Sequence, residues 1–157
     1  MAKILENQRI TDDFYLMKVE EDNNAEMGQF YMLRAWDKYP VLSRPISVFD
    51  SDGKTVSFLY KIVGQGTEIF KELKPGDEIK VDGPHGNGFP DATGKIALVG
   101  GGVGVPPMYE LCKRLIAMGK EVKVILGFNT KDELFYEIKN SGRTSFILSA
   151  INTWLQY

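Results

Sequence analysis

The 157-residue sequence predicts a β-plus-α/β architecture: an antiparallel barrel of Greek-key type at the front and a parallel α/β unit behind it. Three observations carry this expectation. Up to Val81 the apolar residues fall in short runs separated by turn residues. Beyond the loop "GPHGNGFPDATG" the rhythm changes to strand, helix, strand, helix, strand, which implies parallel pairing with right-handed crossovers. The composition, 43% hydrophobic and 25% charged, is that of a soluble globular chain able to bury a core.

In the front half, from Ile4 onward, the runs "DFYLMKVE", "QFYMLRAW", "SRPISVFD", "TVSFLYKIV" and "DEIKVDGP" alternate or cluster their apolar residues. Asn23-Asn24, Asp52-Gly53 and Pro75-Gly76-Asp77 separate them, and Asp52-Gly53 between two apolar runs is a hairpin signal. One helix interrupts at "GTEIFKEL", with Thr67 as its expected cap and Ile69, Phe70 and Leu73 as its apolar face. In the back half "KIALVGGG" is a buried strand. "VPPMYELCKRLIAMGK" is a helix whose Met108, Leu111, Cys112, Leu115 and Ile116 share a side. A second strand "EVKVILGF", a short helix "KDELFYEIK" and a third strand "TSFILSA" complete it. The boundary is placed near Asp91–Gly94, giving units 1–92 and 93–157.

Charge and composition exclude several classes. A formal net charge of -2, with cations scattered rather than striped, disfavours nucleic acid. No apolar run reaches membrane-spanning length, and "MAKILENQRI" lacks the pattern of a signal peptide, so a cytoplasmic protein without membrane contact is expected. One cysteine, Cys112, excludes an internal disulfide and any cysteine-rich metal or iron–sulfur site within these residues.

Two stretches carry chemistry. "VGGGVGVPP" sits where a strand feeds a helix, so its glycines permit close backbone approach and the free N–H groups at the helix start attract an anion. Proline occupies the third glycine position of the usual dinucleotide fingerprint, and a tight turn with no ligand is the competing reading. In "SRPISVFD" an arginine and a proline interrupt an apolar strand. Proline cannot donate to a ladder, and a guanidinium matches phosphate oxygens bidentately. Arg44 therefore suits a pyrophosphate, with Ser47 available to an aromatic ring nitrogen, although pairing with an acidic residue is the alternative. "LYKIVGQGTEIF" adds a second glycine turn opening a helix, a further anion site.

Taken in order, "RPIS", "LYKIVGQGT", "GPHGNGF" and "VGGGVGVPPM" resemble the ferredoxin–NADP reductase superfamily, and within it the FAD-carrying electron-transfer subunits of dihydroorotate dehydrogenases, over about residues 1–140. The resemblance implies that Arg44 binds the FAD pyrophosphate, that Pro45, Ile46 and Ser47 line the isoalloxazine, and that Leu59, Tyr60 and Lys61 contact the flavin and ribityl region. It implies that Gly66 and Thr67 hold the pyrophosphate, and that Gly100, Gly101, Gly102 and Gly104 support a nicotinamide nucleotide, NAD(H) being possible. The front unit would then be a flavin-binding barrel and the back unit a partial nucleotide-binding domain. Electrons would pass from NADH through FAD to a partner, the catalytic subunit of dihydroorotate dehydrogenase, in pyrimidine biosynthesis. The alternatives are the small subunit of an NADH-dependent ferredoxin–NADP oxidoreductase or sulfide dehydrogenase-like enzyme, and a flavin-binding remnant without turnover.

The sequence also departs from that family. The cysteines that hold a 2Fe–2S centre in it are absent, and the chain stops after the third strand of the second unit, which reads as truncation before the iron–sulfur region. Ile147, Leu148, Ile151, Trp154 and Leu155 are accordingly expected to pack against another chain, giving a homo-oligomer through the C-terminal region, or back across the sheet. Asn129 at the end of the second strand favours NAD over NADP, and Asp132 is a candidate cap. Cys112 reads as a buried thiol, His85 as a loop residue without a nearby acid, and "VEEDNNAE" as a solvated turn. Trp36 and Tyr39 fit a place beside a flavin or a core or surface role.

Overall fold

The computed structural model describes residues 1–128 and, in its backbone, the strand at 144–150. Seven strands form one antiparallel sheet: β1 (Ala2–Arg9), β2 (Phe14–Glu20), β3 (Phe30–Arg34), β4 (Arg44–Ser47), β5 (Asp50–Ser51), β6 (Thr55–Lys61) and β7 (Glu78–His85). Their order is β4-β3-β7-β1-β2-β6-β5. Helix α1 (Gln65–Glu72) lies on the long connection from β6, after which β7 returns beside β1, the return path of a Greek key. The sheet does not close by hydrogen bonds into the expected barrel, because no ladder joins β4 to β6. β4 has four residues and Pro45 gives it one donor fewer. It runs on through Val48 and Phe49, whose N–H groups donate to the carbonyls of Gln29 (3.0 Å) and Ser57 (2.9 Å), into β5.

Inside this curled sheet Ile4, Met17, Val19, Leu33, Val56, Phe58, Phe70 and Ile79 are wholly buried. β6 is buried at five consecutive residues, Val56 to Tyr60, because both of its faces are covered. Val56, Phe58 and Tyr60 face the barrel core, while Leu59 joins Phe14 and Phe49 on the other side. The hairpin at Asp52-Gly53 forms as expected: Asp52 Oδ1 accepts the N–H groups of Lys54 (3.0 Å) and Thr55 (2.7 Å), and Gly53 takes φ +86°. β1, which the sequence pattern does not single out as a strand, occupies the middle of the sheet. Its alternation fails because the register with β2 shifts between Ile4 and Glu6.

Thr67 does not cap α1 from outside. It stands at the third helical position, where its Oγ1 accepts the N–H groups of Val63 (2.9 Å) and Gly64 (3.2 Å) and donates to the Gly64 carbonyl (2.9 Å). Asn7 of β1 ties down the far end, its Nδ2 donating to the carbonyls of Phe70 and Leu73, both at 2.8 Å.

The second sheet contains β8 (Ile96–Gly101), β9 (Val122–Phe128) and β10 (Thr144–Ala150), all parallel, with β9 in the middle. A 3₁₀ turn at Gly102–Gly104 leads from β8 into helix α2 (Val105–Ala117). α2 buries Leu111, Cys112 and Leu115 against Leu98, Val122, Val124, Leu126 and Phe128, with Met108 and Ile116 partly covered, as the helical spacing predicts. Among the described residues no helix is long and apolar enough to cross a membrane. The expected helix at 131–139, Asn129, Asp132, the side chains of Ile147 and Leu148, and Ile151, Trp154 and Leu155 lie outside the described residues.

Candidate functional site

The gap between β4 and β6 is a cleft of about 310 Å³. β4 pairs only with β3, Leu33 opposite Arg44 and Phe30 opposite Ser47, so its other edge is turned to the cleft. Arg44, Pro45, Ile46 and Ser47 line it from that edge, Leu59, Tyr60 and Lys61 from β6, and Thr67 from the start of α1. Eight of the thirteen expected site residues thus line one cleft, although they come from three separate elements, β4, β6 and α1. Phe14, Val63, Val103 and Pro106 complete it.

Arg44 has no carboxylate partner among the described residues, contrary to the ion-pair alternative. Its Nη1 donates to the Leu42 carbonyl at 2.5 Å, and its guanidinium carbon lies 5.4 Å from the centre of the Trp36 ring. Trp36 is held in turn by stacking on Phe70 at 5.6 Å and by its indole N–H, which donates to the Pro40 carbonyl. Trp36 therefore supports the arginine, whereas Tyr39 is 77% exposed. Gly66 brings α1 against this pair: a Cβ on it would lie 2.5 Å from Arg44 Nε and 2.8 Å from Trp36 Cη2. The helix start and the guanidinium are thereby brought side by side, a cationic corner suited to phosphate oxygens.

The opposite wall is apolar and aromatic. Tyr60 is 3% exposed, and burial pushes its phenol pKa far up, so the ring stays neutral while its hydroxyl hydrogen-bonds Asn7 Oδ1 at 3.1 Å. Lys61 Nζ lies 5.4 Å over the Phe14 ring and 4.0 Å from Asp13 Oδ2. A mostly apolar slot with a few convergent polar groups is the usual form of a small-molecule site, and about 310 Å³ is near the lower end of the ~300–1,000 Å³ range.

The glycines of the turn between β8 and α2 stand beside the cleft without lining it. Gly100 is fixed by packing, since a Cβ there would meet Met108 Cγ at 2.8 Å and the Gly104 carbonyl oxygen at 2.9 Å. Gly101, Gly102 and Gly104 face open space, the nearest atom in the Cβ direction being the Gly127 carbonyl oxygen at 3.9 Å from Gly101, and Gly102 takes φ +53°. These three permit close approach, while the neighbouring Val103 and Pro106 close one side of the cleft. His85 ends β7 with Nε2 3.4 Å from Asp82 Oδ2, so it does have an acid nearby; the irregular register opposite Phe30–Met32 brings the two together. Cys112 is 2% exposed, and burial raises its thiol pKa.

No family model matches the chain. It is 51% identical over 117 residues to the electron transfer subunit of dihydroorotate dehydrogenase B (NAD(+)) of Clostridium acetobutylicum, covering 73% of this chain and 48% of the relative. The subunits of the same name from Fusobacterium nucleatum and Streptococcus mutans are 42% and 36% identical over 151 and 154 residues, covering 88% and 93% of this chain and 58% and 60% of theirs. The chain thus spans about half the length of the curated relatives it matches. Among solved structures, the NADH-dependent reduced ferredoxin-NADP oxidoreductase, described for flavin-based electron bifurcation, superposes with a TM-score of 0.83 at 28% identity over 94% of this chain and 56% of that one. The ferredoxin reductase of carbazole 1,9a-dioxygenase gives the same TM-score at 23% identity, over 98% of this chain and 52% of that one.

Proposed function

The chain belongs to the ferredoxin–NADP reductase-like flavoproteins, aligning with the electron transfer subunits of dihydroorotate dehydrogenase B, and from that premise we propose that it binds FAD and relays electrons from NADH to a partner dehydrogenase. The observation that carries the reading is Arg44, unpaired by any described carboxylate and braced by Trp36 and Gly66 at the mouth of the cleft between β4 and β6. Residues 1–92 would form the flavin-binding unit and 93–157 the nucleotide-binding one. Pro45, Ile46, Ser47, Leu59, Tyr60 and Lys61 would hold the isoalloxazine, Arg44, Gly66 and Thr67 the pyrophosphate, and Gly101, Gly102 and Gly104 would admit the nicotinamide nucleotide.

When bound, the flavin supplies the exchange between two-electron and one-electron carriers. The polypeptide's part is to orient it. Arg44 and the N–H groups of α1 neutralise phosphate charge, Tyr60 offers a neutral wall that excludes water, and the unpaired edge of β4 presents backbone groups to the ring rim. The iron–sulfur centre expected from the family resemblance finds no donor set in these 157 residues, whose one cysteine is buried in α2.

The partner would be the catalytic subunit that oxidises dihydroorotate to orotate, in the cytoplasm. A second reading, the small subunit of an NADH-dependent ferredoxin–NADP oxidoreductase, is favoured by the 28% identical structural neighbour. Titration of the purified chain with FAD tests the cofactor, and absence of bound flavin refutes it. Anaerobic NADH then tests the relay: bleaching of the bound flavin supports it, and flavin that binds without bleaching leaves a non-catalytic module. Mixing the reduced protein with either candidate acceptor separates the two readings.

A further inference from the structure

Helix α2, packed on the second sheet, also meets the barrel along one side. Tyr109 and Lys113 are one helical turn apart and share that side, and their partners are consecutive in the barrel. The Tyr109 ring stacks on Phe49 at 4.6 Å and 10°, and Lys113 Nζ pairs with the carboxylate of Asp50. Next to them Glu110, on a helix of the second unit, is 1% exposed. Lys113 Nζ lies 2.9 Å from its Oε2, and Arg114 Nε donates to its Oε1 at 2.5 Å while Arg114 Nη2 reaches the Ala25 carbonyl at 3.0 Å. Burial works against the Lys113 charge, yet hydrogen bonds to Asp50 and Glu110 outweigh it and raise the pKa above the ordinary lysine value.

This junction shares material with the cleft. Phe49 packs with Phe14 and Leu59, which are cleft walls, and the other end of α2 supplies Pro106, with Val103 just before it. We infer that Lys113 is a positioning residue for the cleft: by tying Asp50 of the barrel to buried Glu110 of α2, it sets how closely Val103 and Pro106 stand over the ligand. An exposed ion pair alone holds little. Here the third member is a carboxylate with almost no access to water, and removal of Lys113 leaves it with a single cation. Lys113 lies about 10 Å along the helix from Pro106, so a tilt of about 10° around it moves Pro106 by about 2 Å. The part that concerns the ligand rests on the flavin reading.

The test compares the wild type with Lys113→Met, Lys113→Arg and Asp50→Asn. Three readouts are used: FAD affinity, the visible circular dichroism of bound flavin, and hydrogen exchange of residues 102–108 in flavin-free protein. Lys113→Met is expected to weaken FAD binding by about tenfold, change the dichroism and speed exchange at 102–108, while β1, β2 and β7 exchange as before. Asp50→Asn shifts the same readouts in the same direction, and Lys113→Arg retains the wild-type values. Wild-type values of all three readouts in Lys113→Met overturn the inference. If the wild type takes up no FAD, the flavin reading fails and exchange alone decides: faster exchange at 102–108 in Lys113→Met upholds the fixing of α2, and unchanged exchange refutes it.

Discussion

Gly66→Ala isolates the contact between α1 and the arginine without removing any charge. The new Cβ would lie 2.5 Å from Arg44 Nε, 2.8 Å from Trp36 Cη2 and 3.0 Å from Arg44 Cγ, against an ordinary contact of 3.4–4 Å. Trp36 is pinned between Phe70 and its hydrogen bond to Pro40, so the guanidinium must yield, by nearly 1 Å. Helix propensity favours alanine by about 1 kcal/mol at most, and overpacking of this size costs about 1–3 kcal/mol, so the fold loses little. Binding loses more, because a charge-assisted contact of Arg44 is worth about 1.5–3 kcal/mol, which weakens FAD by about 10- to 150-fold. Fluorescence titration of apo-protein with FAD measures this, with a urea melt as the control for folding. A dissociation constant within about twofold of wild type in a folded variant would refute the assignment of this corner to the pyrophosphate.

Arg44→Lys keeps the charge but loses the planar fork and its stacking on Trp36, so FAD retention on gel filtration should fall by about tenfold, and further in Arg44→Ala; equal retention in all three proteins contradicts the role. Phe58→Ala empties the barrel centre, where the ring is wholly buried and edge-on to Tyr31 at 5.6 Å, and should lower the urea-unfolding free energy by about 3–5 kcal/mol. Burial raises the pKa of Tyr60 and of Tyr31 in the folded state, so the neutral phenols contribute stability that is fully present below the unfolded value near pH ~10 and is lost as pH rises through and beyond it. The urea midpoint should hold steady at neutral pH and fall in that alkaline window, and Tyr60→Phe should fall less steeply. The same steepness in Tyr60→Phe excludes its phenol as a cause.

Much of the cleft is legible in the sequence because its residues break local rules in small clusters. Arg44 and Pro45 interrupt an apolar run, and Gly64, Gly66 and Thr67 mark a helix entry that a phosphate can use. What sequence leaves out is whatever depends on elements far apart in the chain. Val103 belongs to the glycine turn and Pro106 to the first turn of α2, and only the way α2 docks against the barrel makes them cleft walls. Trp36 becomes the arginine's support only once Phe70 of α1 stacks on its ring. Glu110 pairs with Lys113 and Arg114, whose other partners, Asp50 and Ala25, lie at least sixty residues earlier in the chain. β1 is hidden for a local reason, since its bulge cancels the alternation that would announce a strand. Thr67 is the reverse case: the residue is correctly associated with the helix start, but it acts from inside the first turn.

The ladder that β4 and β6 leave unmade also bears on the life of the protein before it is loaded. An unpaired strand edge invites pairing with another chain, and the two features that blunt edges elsewhere, a proline and a charged side chain, are both in place on β4 as Pro45 and Arg44. The residues proposed to receive the ligand therefore double as guards against strand-by-strand aggregation in newly made, empty chains. A ligand that fills the seam stabilises the fold by mass action as well, so cofactor supply would govern how much of the protein survives.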